Sequence, residues 1–134
     1  MTGVVVDASA VVAILLEEPN AEWLTDEMND ADELFLSAVT LVEASIVMES
    51  RAPLVGAEGV QSFVRYAEVQ IVDVDRTQTD SAIDAWRRFG TGRHAAALNF
   101  GDCFVYALAE EMGYPILCVG NDFVQTDLEV LPSR

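Results

Sequence analysis

The segment VVVDASAVVAILL, residues 4–16, decides the predicted fold. Its first three valines form a short β-branched run that is typical of a buried strand, and the apolar residues 10–16 continue with helix-forming residues until Glu18 and Pro19 end them. Asp7 stands where the strand ends. The segment therefore predicts a buried strand that feeds a helix, with a carboxylate at the junction.

Strands and helices continue to alternate beyond this segment. In one predicted helix, over 77–89, Ile83 and Trp86 are expected to face the core. Because the connections are long enough to cross over, the alternation predicts an α/β fold, a three-layer α/β/α sandwich with a central, mainly parallel sheet. The further strands are predicted at 34–36, 69–74, 116–119 and 128–131, and the further helices at 20–29, 40–51, 57–68, 77–89 and from 102 to 113.

Length and composition indicate a single domain spanning residues 1–134. With 51% hydrophobic residues the chain can bury a core, and its apolar runs are all shorter than the roughly eighteen residues of a membrane span. Residues 4–16 lack the basic start of a signal peptide and contain Asp7, so we expect a cytoplasmic protein with no membrane partner. Cys103 and Cys118 are the two cysteines, and both are expected to be reduced.

The charge is strongly negative. Seven basic residues, all arginine, stand against 23 acidic residues, which gives a formal net charge of -16. The absence of lysine argues against P-loop nucleotide binding and against aspartyl-phosphate chemistry, since both use a lysine at the phosphates. The acidity also argues against a general nucleic-acid-binding surface. Adaptation to a salty cytoplasm is an alternative explanation of the same charge.

Four carboxylates fall where a predicted strand ends or a helix begins: Asp7, Glu43, Asp102 and Asp122. Parallel sheets place ligands at the carboxyl ends of their strands, so folding is expected to assemble these side chains into one Mg²⁺ or Mn²⁺ site. Taken singly, each carboxylate is also explained as a helix cap, and Thr40 with Glu43 matches a capping box. Together, unpaired charges near a core favour a bound cation.

Other polar side chains are expected to support this site. Ser9 and Asn99 are placed to orient carboxylates or waters, with local turn and cap bonding as an equal alternative. Arg93 and His94 are candidates for contacts with substrate phosphates, and solvated loop residues are the alternative. The large aromatic residues, Trp86 among them, are assigned to the core or to a dimer face rather than to base stacking.

Four motifs carry a resemblance to a known family. They are VVDASAVVAIL at 5–15, SAVTLVEA at 37–44, LNFGDCFVYALA at 98–109 and VGNDF at 119–123. In their order and their D-x-S, T-x-x-E and N-x-G-D-x-F spacings, the chain resembles PIN-domain ribonucleases of the VapC toxin type. The resemblance covers essentially the whole chain.

The resemblance implies a PIN-like fold and a metal-dependent endoribonuclease, often a homodimer, that a cognate VapB antitoxin inhibits. Asp7, Glu43 and Asp102 match the first three acidic positions of that family. Many members carry a fourth acid where this chain has Gly120, which leaves Asp122 as the provisional fourth residue and Asn121 as the alternative. Asp7 and Asp102 are then the expected direct metal ligands, and Glu43 completes the metal site or positions the attacking water.

Two other functions remain open at this level. The chain would serve as a catalytically inactive PIN-like binding module if it acted only through protein partners. The same carboxylates would also suit a metal-dependent nuclease that acts on DNA, or a phosphatase. Retention of all three primary acids weighs against the binding module, and an acidic surface suits a basic antitoxin segment whose arginine competes with the metal.

Overall fold

The computed structural model describes residues 2–132, and within them five parallel strands form one sheet in the order β3-β2-β1-β4-β5. Strand β1 is central, and its three valines and Gly3 are all buried because helices cover both faces of the sheet. The α/β fold with a parallel sheet is confirmed. The strands are β1 (Gly3–Val6), β2 (Glu33–Ser37), β3 (Gln70–Val72), β4 (Ile116–Leu117) and β5 (Val130–Leu131).

Six helices cover the sheet in two layers. Side chains alternate across the strands, so Val4 and Val6 pack against the layer of α1 to α4, whereas Val5 packs against the layer of α5 and α6. The helices are α1 (Ala8–Leu15), α2 (Ala21–Asp30), α3 (Ala38–Arg51), α4 (Gly56–Tyr66), α5 (Arg76–Phe89) and α6 (Phe100–Met112). A short 3-10 helix, Phe123–Gln125, lies between β4 and β5. Across residues 2–132, every helix is too short or too polar to cross a membrane.

The inward face predicted for α5 is wrong. Ile83 and Trp86 are each 44% exposed, and the helix instead buries Ala82, Ala85 and Phe89. Two small alanines allow α5 to approach α6 closely, so the buried stripe lies beside the one that the large residues mark. Sequence periodicity alone does not distinguish the two stripes. The largest apolar side chains of a helix are not always the ones that face the neighbouring helix.

Several element ends differ from their predicted positions. Helix α3 begins at Ala38, two residues before its predicted start, because Ser37 Oγ accepts a hydrogen bond from Val39 N at 3.3 Å and caps it. Helix α6 likewise begins at Phe100 rather than at residue 102. The last strands are shorter than predicted, since β4 and β5 have two paired residues each. The earlier starts of α3 and α6 lengthen both helices at the carboxyl end of the sheet, where the candidate site lies.

Candidate metal and active site

Four carboxylates converge at the carboxyl ends of the central strands. Asp7, Glu43, Asp102 and Asp122 line one open cavity of about 390 Å³, a volume in the range of ligand-sized pockets. Asp7 follows β1, Asp122 follows β4, and the other two lie on α3 and α6. The sequence places these residues up to 115 positions apart along the chain, and the crossover topology brings them together.

Asp7 caps α1 with one oxygen and leaves the other free. Its Oδ2 accepts hydrogen bonds from Ser9 N at 3.0 Å and from Ser9 Oγ at 2.5 Å. Its Oδ1 is buried and has no hydrogen-bond partner among residues 2–132. Burial raises the pKa of Asp7, and the charge of Asp122 adds to that shift. A buried carboxylate oxygen without a partner is costly, and a cation at that position removes the cost.

Ser9 joins Asp7 to the end of the sheet. Its hydroxyl donates to Asp7 and also accepts a hydrogen bond from Val119 N at 3.0 Å, just after β4. In this geometry Ser9 completes the helix cap and also fixes the orientation of the Asp7 carboxylate.

Asp102 and Asn99 form a capping box at the start of α6. Asp102 Oδ2 accepts from Asn99 N at 3.0 Å, and Asn99 Oδ1 accepts from Asp102 N at 2.9 Å. Asp102 is 8% exposed, and burial raises its pKa from 3.8 to about 7, with contributions from the charges of Asp7, Asp122 and Glu43. Within the described chain, its Oδ1 has no hydrogen bond. Asp102 therefore combines a structural bond with one free oxygen, as Asp7 does.

Glu43 is not part of a cap. Because α3 begins at Ala38, Thr40 and Glu43 both lie inside the helix, and the capping-box alternative for this pair is wrong. The Glu43 carboxylate lies against Gly101, where an added Cβ would be 2.5 Å from Glu43 Oε2. Burial and the charge of Asp7 both raise the pKa of Glu43. The glycine before Asp102 thus provides the space for the third carboxylate.

Of the two candidates for the fourth position, Asp122 lines the carboxylate cavity. Asp122 is exposed at the start of the 3-10 helix, and its charge contributes to the raised pKa of both Asp7 and Asp102. Asn121 instead lines a neighbouring cavity together with Trp23 and Cys118. Only the first of the two therefore shares the carboxylate cavity.

Arg93 and His94 lie outside this cavity. The Arg93 guanidinium stacks 4.1 Å above the ring of Trp86. His94 accepts a hydrogen bond from Ala96 N at 3.0 Å, and its ring forms a T-shaped pair with the ring of Phe89.

Sequence reasoning missed three polar residues that line the cavity: Glu18, Asn20 and Arg51. Arg51 is the one basic side chain among its described lining residues. Its position, eight residues after Glu43 on the same helix, was the available signal, since residues at i, i+4 and i+8 share one side of a helix.

The donor chemistry of the cavity fits a hard divalent cation. Carboxylate oxygens are the ligands that Mg²⁺ takes, and Mg²⁺ commonly uses one or two of them and keeps several waters. In residues 2–132 no three acidic, cysteine or histidine side chains stand together as a ready-made ligand set. The free oxygens of Asp7 and Asp102 are the atoms that would hold such a cation.

The chain is similar to known proteins along most of its length. The model of the PIN domain matches residues 4–129. The chain is 44% identical over 124 residues to a protein named ribonuclease VapC from Mycolicibacterium smegmatis, covering 92% of this chain and 96% of the relative.

Two solved structures share the fold. One is Mycobacterium tuberculosis VapC20, described as a sarcin-ricin loop cleaving toxin, with a TM-score of 0.77, 15% identity and coverage of 93% and 95% of the two chains. The other is a toxin-antitoxin complex from Klebsiella pneumoniae, with a TM-score of 0.72, 11% identity and 98% coverage of both chains. On the family match and the 44% identity, this chain belongs to the PIN-domain family and, within it, to the VapC proteins.

Proposed function

We propose that this protein is a metal-dependent endoribonuclease that acts as the toxin of a type II toxin-antitoxin pair. The observation that carries the proposal is the buried, unpartnered Oδ1 of Asp7 in a cavity with four further carboxylates. The name of the 44% identical relative, a ribonuclease, supports RNA as the substrate, and VapC20 is described as a sarcin-ricin loop cleaving toxin. Such an enzyme is expected to act in the cytoplasm, where its RNA lies.

Asp7, Asp102 and Glu43 are the residues that would hold Mg²⁺ or Mn²⁺. When bound, such a cation lowers the pKa of a bound water and stabilises charge that develops on the phosphoryl oxygens. Ser9 holds one oxygen of Asp7 by a hydrogen bond, and Asn99 holds one oxygen of Asp102. These bonds fix the plane of each carboxylate and therefore the position of its other oxygen. Glu43 has no hydrogen bond or ion pair within the described chain and is available to take a proton from the attacking water.

Three substrates assayed side by side test the reaction class. Single-stranded RNA, single-stranded DNA and a small phosphomonoester are incubated with the purified chain and Mg²⁺ or Mn²⁺. The proposal expects cleavage of RNA at internal bonds. Cleavage of DNA with RNA left intact would instead establish a DNA nuclease, and hydrolysis of the monoester alone would establish a phosphatase.

Gly101→Ala is expected to impair cleavage without impairing folding. The added Cβ displaces the Glu43 carboxylate, and a displacement on the order of 1 Å at a catalytic group lowers the rate by up to about 100-fold. Alanine is also the better helix former, by about 1 kcal/mol. The measurement pairs RNA cleavage with thermal unfolding.

Gly59→Ala is the matched control for that variant. Gly59 lies inside α4 with open space around its Cβ position, so its replacement keeps the helix-propensity gain and leaves Glu43 in place. Full activity in both variants would show that the position of Glu43 does not matter for cleavage.

A cognate VapB-type antitoxin is the proposed protein partner. The likeness to a solved toxin-antitoxin complex suggests it, and the net charge of -16 with an acidic cavity suits a basic segment. Titration of the enzyme with its cognate antitoxin should inhibit RNA cleavage at a defined molar ratio of antitoxin to enzyme. Absence of both binding and inhibition would contradict this part of the proposal.

We also propose that the protein forms a homodimer through an apolar groove between α5 and α6. In a chain of net charge -16, two copies approach most easily through a face without carboxylates. The groove offers such a face, and several of its large side chains are exposed, Phe100 by 75%. Its described lining residues are all uncharged: Thr79, Ala82, Ile83, Trp86, Thr91, Leu98, Asn99, Phe100, Cys103 and Phe104.

Ile83→Arg is expected to convert the homodimer to monomers. The charge would be buried without a partner in the groove, which disfavours association. Sedimentation velocity at micromolar protein should give twice the mass of one chain for the wild type and one chain mass for the variant. Tyr66→Arg adds the same charge on α4 at an 89% exposed position outside the groove, and should remain dimeric. A monomeric wild type would contradict the homodimer.

A further inference from the structure

We infer that Arg51 binds a phosphate of the RNA next to the one that is cleaved, a step that rests on the ribonuclease function proposed above. Arg51 is the one basic residue among the described residues that line the carboxylate cavity. It lies in the last turn of α3, on the helix that also carries Glu43. The carboxylates therefore lie at one end of the cavity, and Arg51 lies further along the side that α3 forms.

The wall between these two positions follows the axis of α3. Glu43, Val47 and Arg51 all line the cavity at i, i+4 and i+8, so the outer two are about 12 Å apart along the helix. On the other side, α1 contributes Val12 and Ala13 to the lining. The middle of the cavity is thus apolar, which suits the sugar or base that joins two phosphates.

Arg51 is available for a ligand. The ion pairs found in residues 2–132 involve Arg76 and Arg88 and leave Arg51 out. Glu18 and Glu43 line the same cavity, yet neither lies within ion-pair distance of the guanidinium. The side chain is exposed and makes no hydrogen bond within the described chain. Its donors can therefore form a bidentate contact with a phosphate.

Electrostatics favour an RNA phosphate as the occupant. The cavity carries five carboxylates, including Glu18, and the whole chain has a net charge of -16, so a polyanion meets repulsion over most of the surface. A guanidinium beside the reaction centre offsets that repulsion locally. Arg87 and Arg93 do not line this cavity, so they do not replace Arg51 there.

Equilibrium binding of single-stranded RNA tests the role of Arg51 apart from catalysis. The measurement uses an Asp7→Asn background that holds RNA without cutting it, over a range of salt concentrations. Adding Arg51→Ala should weaken binding about tenfold, since hydrogen bonds to a charged group are lost. It should also reduce the slope of log K against log salt by about 0.7, the value for one phosphate contact with a single strand. The RNA affinity of Arg51→Lys should lie between those of the parent protein and Arg51→Ala, because lysine keeps the charge and loses the bidentate contact.

Arg65→Ala is the matched control. Arg65 also lies in the last turn of a helix, α4, and its loss changes the net charge by the same amount, but it does not line the cavity. RNA affinity and salt slope should stay at the level of the parent protein. Thermal unfolding of both variants verifies that they are folded.

Cleavage kinetics in the wild-type background provide a second readout. Arg51→Ala should raise KM about tenfold and leave kcat nearly unchanged, because a contact away from the reacting bond contributes equally to substrate and transition state. Equal RNA affinity, slope and KM in Arg51→Ala and Arg65→Ala would overturn the inference while leaving a cleaving enzyme intact. Weaker antitoxin binding with unchanged RNA binding would overturn it too and assign Arg51 to the protein partner. A wild-type protein that neither binds nor cleaves RNA would refute the proposed function itself.

Discussion

Asp7→Asn is expected to lower RNA cleavage by orders of magnitude and to leave the metal-free protein at least as stable as the wild type. The amide keeps the helix cap, because its oxygen still accepts the hydrogen bonds of Ser9. It removes a buried charge whose second oxygen has no partner within the described chain. Activity should fall by about 10²–10³-fold or more, the scale of losing one group that stabilises transition-state charge.

The opposite changes in activity and stability distinguish a functional carboxylate from a structural one. RNA cleavage and thermal unfolding in EDTA are measured on the same preparations. Asp32→Asn is the control, since Asp32 is exposed, its pKa is lowered by hydrogen bonds from Thr2, and it lies far from the cavity. That variant should lose a little stability and keep full activity. An Asp7→Asn protein that unfolds more easily and still cleaves RNA would contradict the account.

The metal-free protein is expected to lose stability as the pH rises from about 4 to about 7. The pKa of Asp102 is raised from 3.8 to about 7 by burial and by its acidic neighbours, so the folded state binds a proton more tightly than the unfolded state does. Stability falls wherever the folded state binds more protons, and here that interval lies between the two pKa values. The full change from Asp102 is on the order of 4 kcal/mol.

Urea unfolding at pH 5 and pH 8 in EDTA measures this effect. Asp102→Asn should flatten the pH dependence, and residual slope should come from Asp7 and Glu43, whose pKa values are also raised. Asp127 acts in the other direction, because hydrogen bonds from Tyr106 and Arg88 lower its pKa and its contribution is lost only in more acidic solution. Added Mg²⁺ should restore more stability at pH 8 than at pH 5, since cation binding requires ionised carboxylates. Equal pH profiles for wild type and Asp102→Asn would refute the raised pKa.

The layout of the fold was predictable because its signals are local. Residues 4–16 specify a strand, a carboxylate and a helix within one segment. The further alternation of strands and helices along the chain gives a parallel sheet. Cap chemistry was less predictable, since both Ser37 and Thr40 are good capping residues and only the backbone decides between them. The inward face of α5 depended on contact with α6, which the periodicity of α5 does not contain.

Some residues of the candidate site were also predictable from local sequence signals, and others were not. Asp7 and Asp102 stand at element junctions that sequence patterns mark, and Asp122 follows a predicted strand. Gly101 became visible only in three dimensions, because its importance depends on how α3 lies against α6. The spacing from Glu43 marked Arg51 in the sequence, but the packing of α3 against α1 was needed to show that it lines the cavity. Arg93 and His94, which were chosen by charge and position near a motif, lie apart from the carboxylates.

Metal-dependent cleavage of single-stranded RNA by wild type, Asp7→Asn and Asp102→Asn tests the central claim most directly. Each protein is first verified as folded and then assayed in EDTA and with increasing Mg²⁺ or Mn²⁺. The account predicts cleavage by the wild type alone, absent in EDTA and restored by the added cation. Equal cleavage by all three proteins, or wild-type cleavage that persists in EDTA, would contradict a metal site built from these carboxylates.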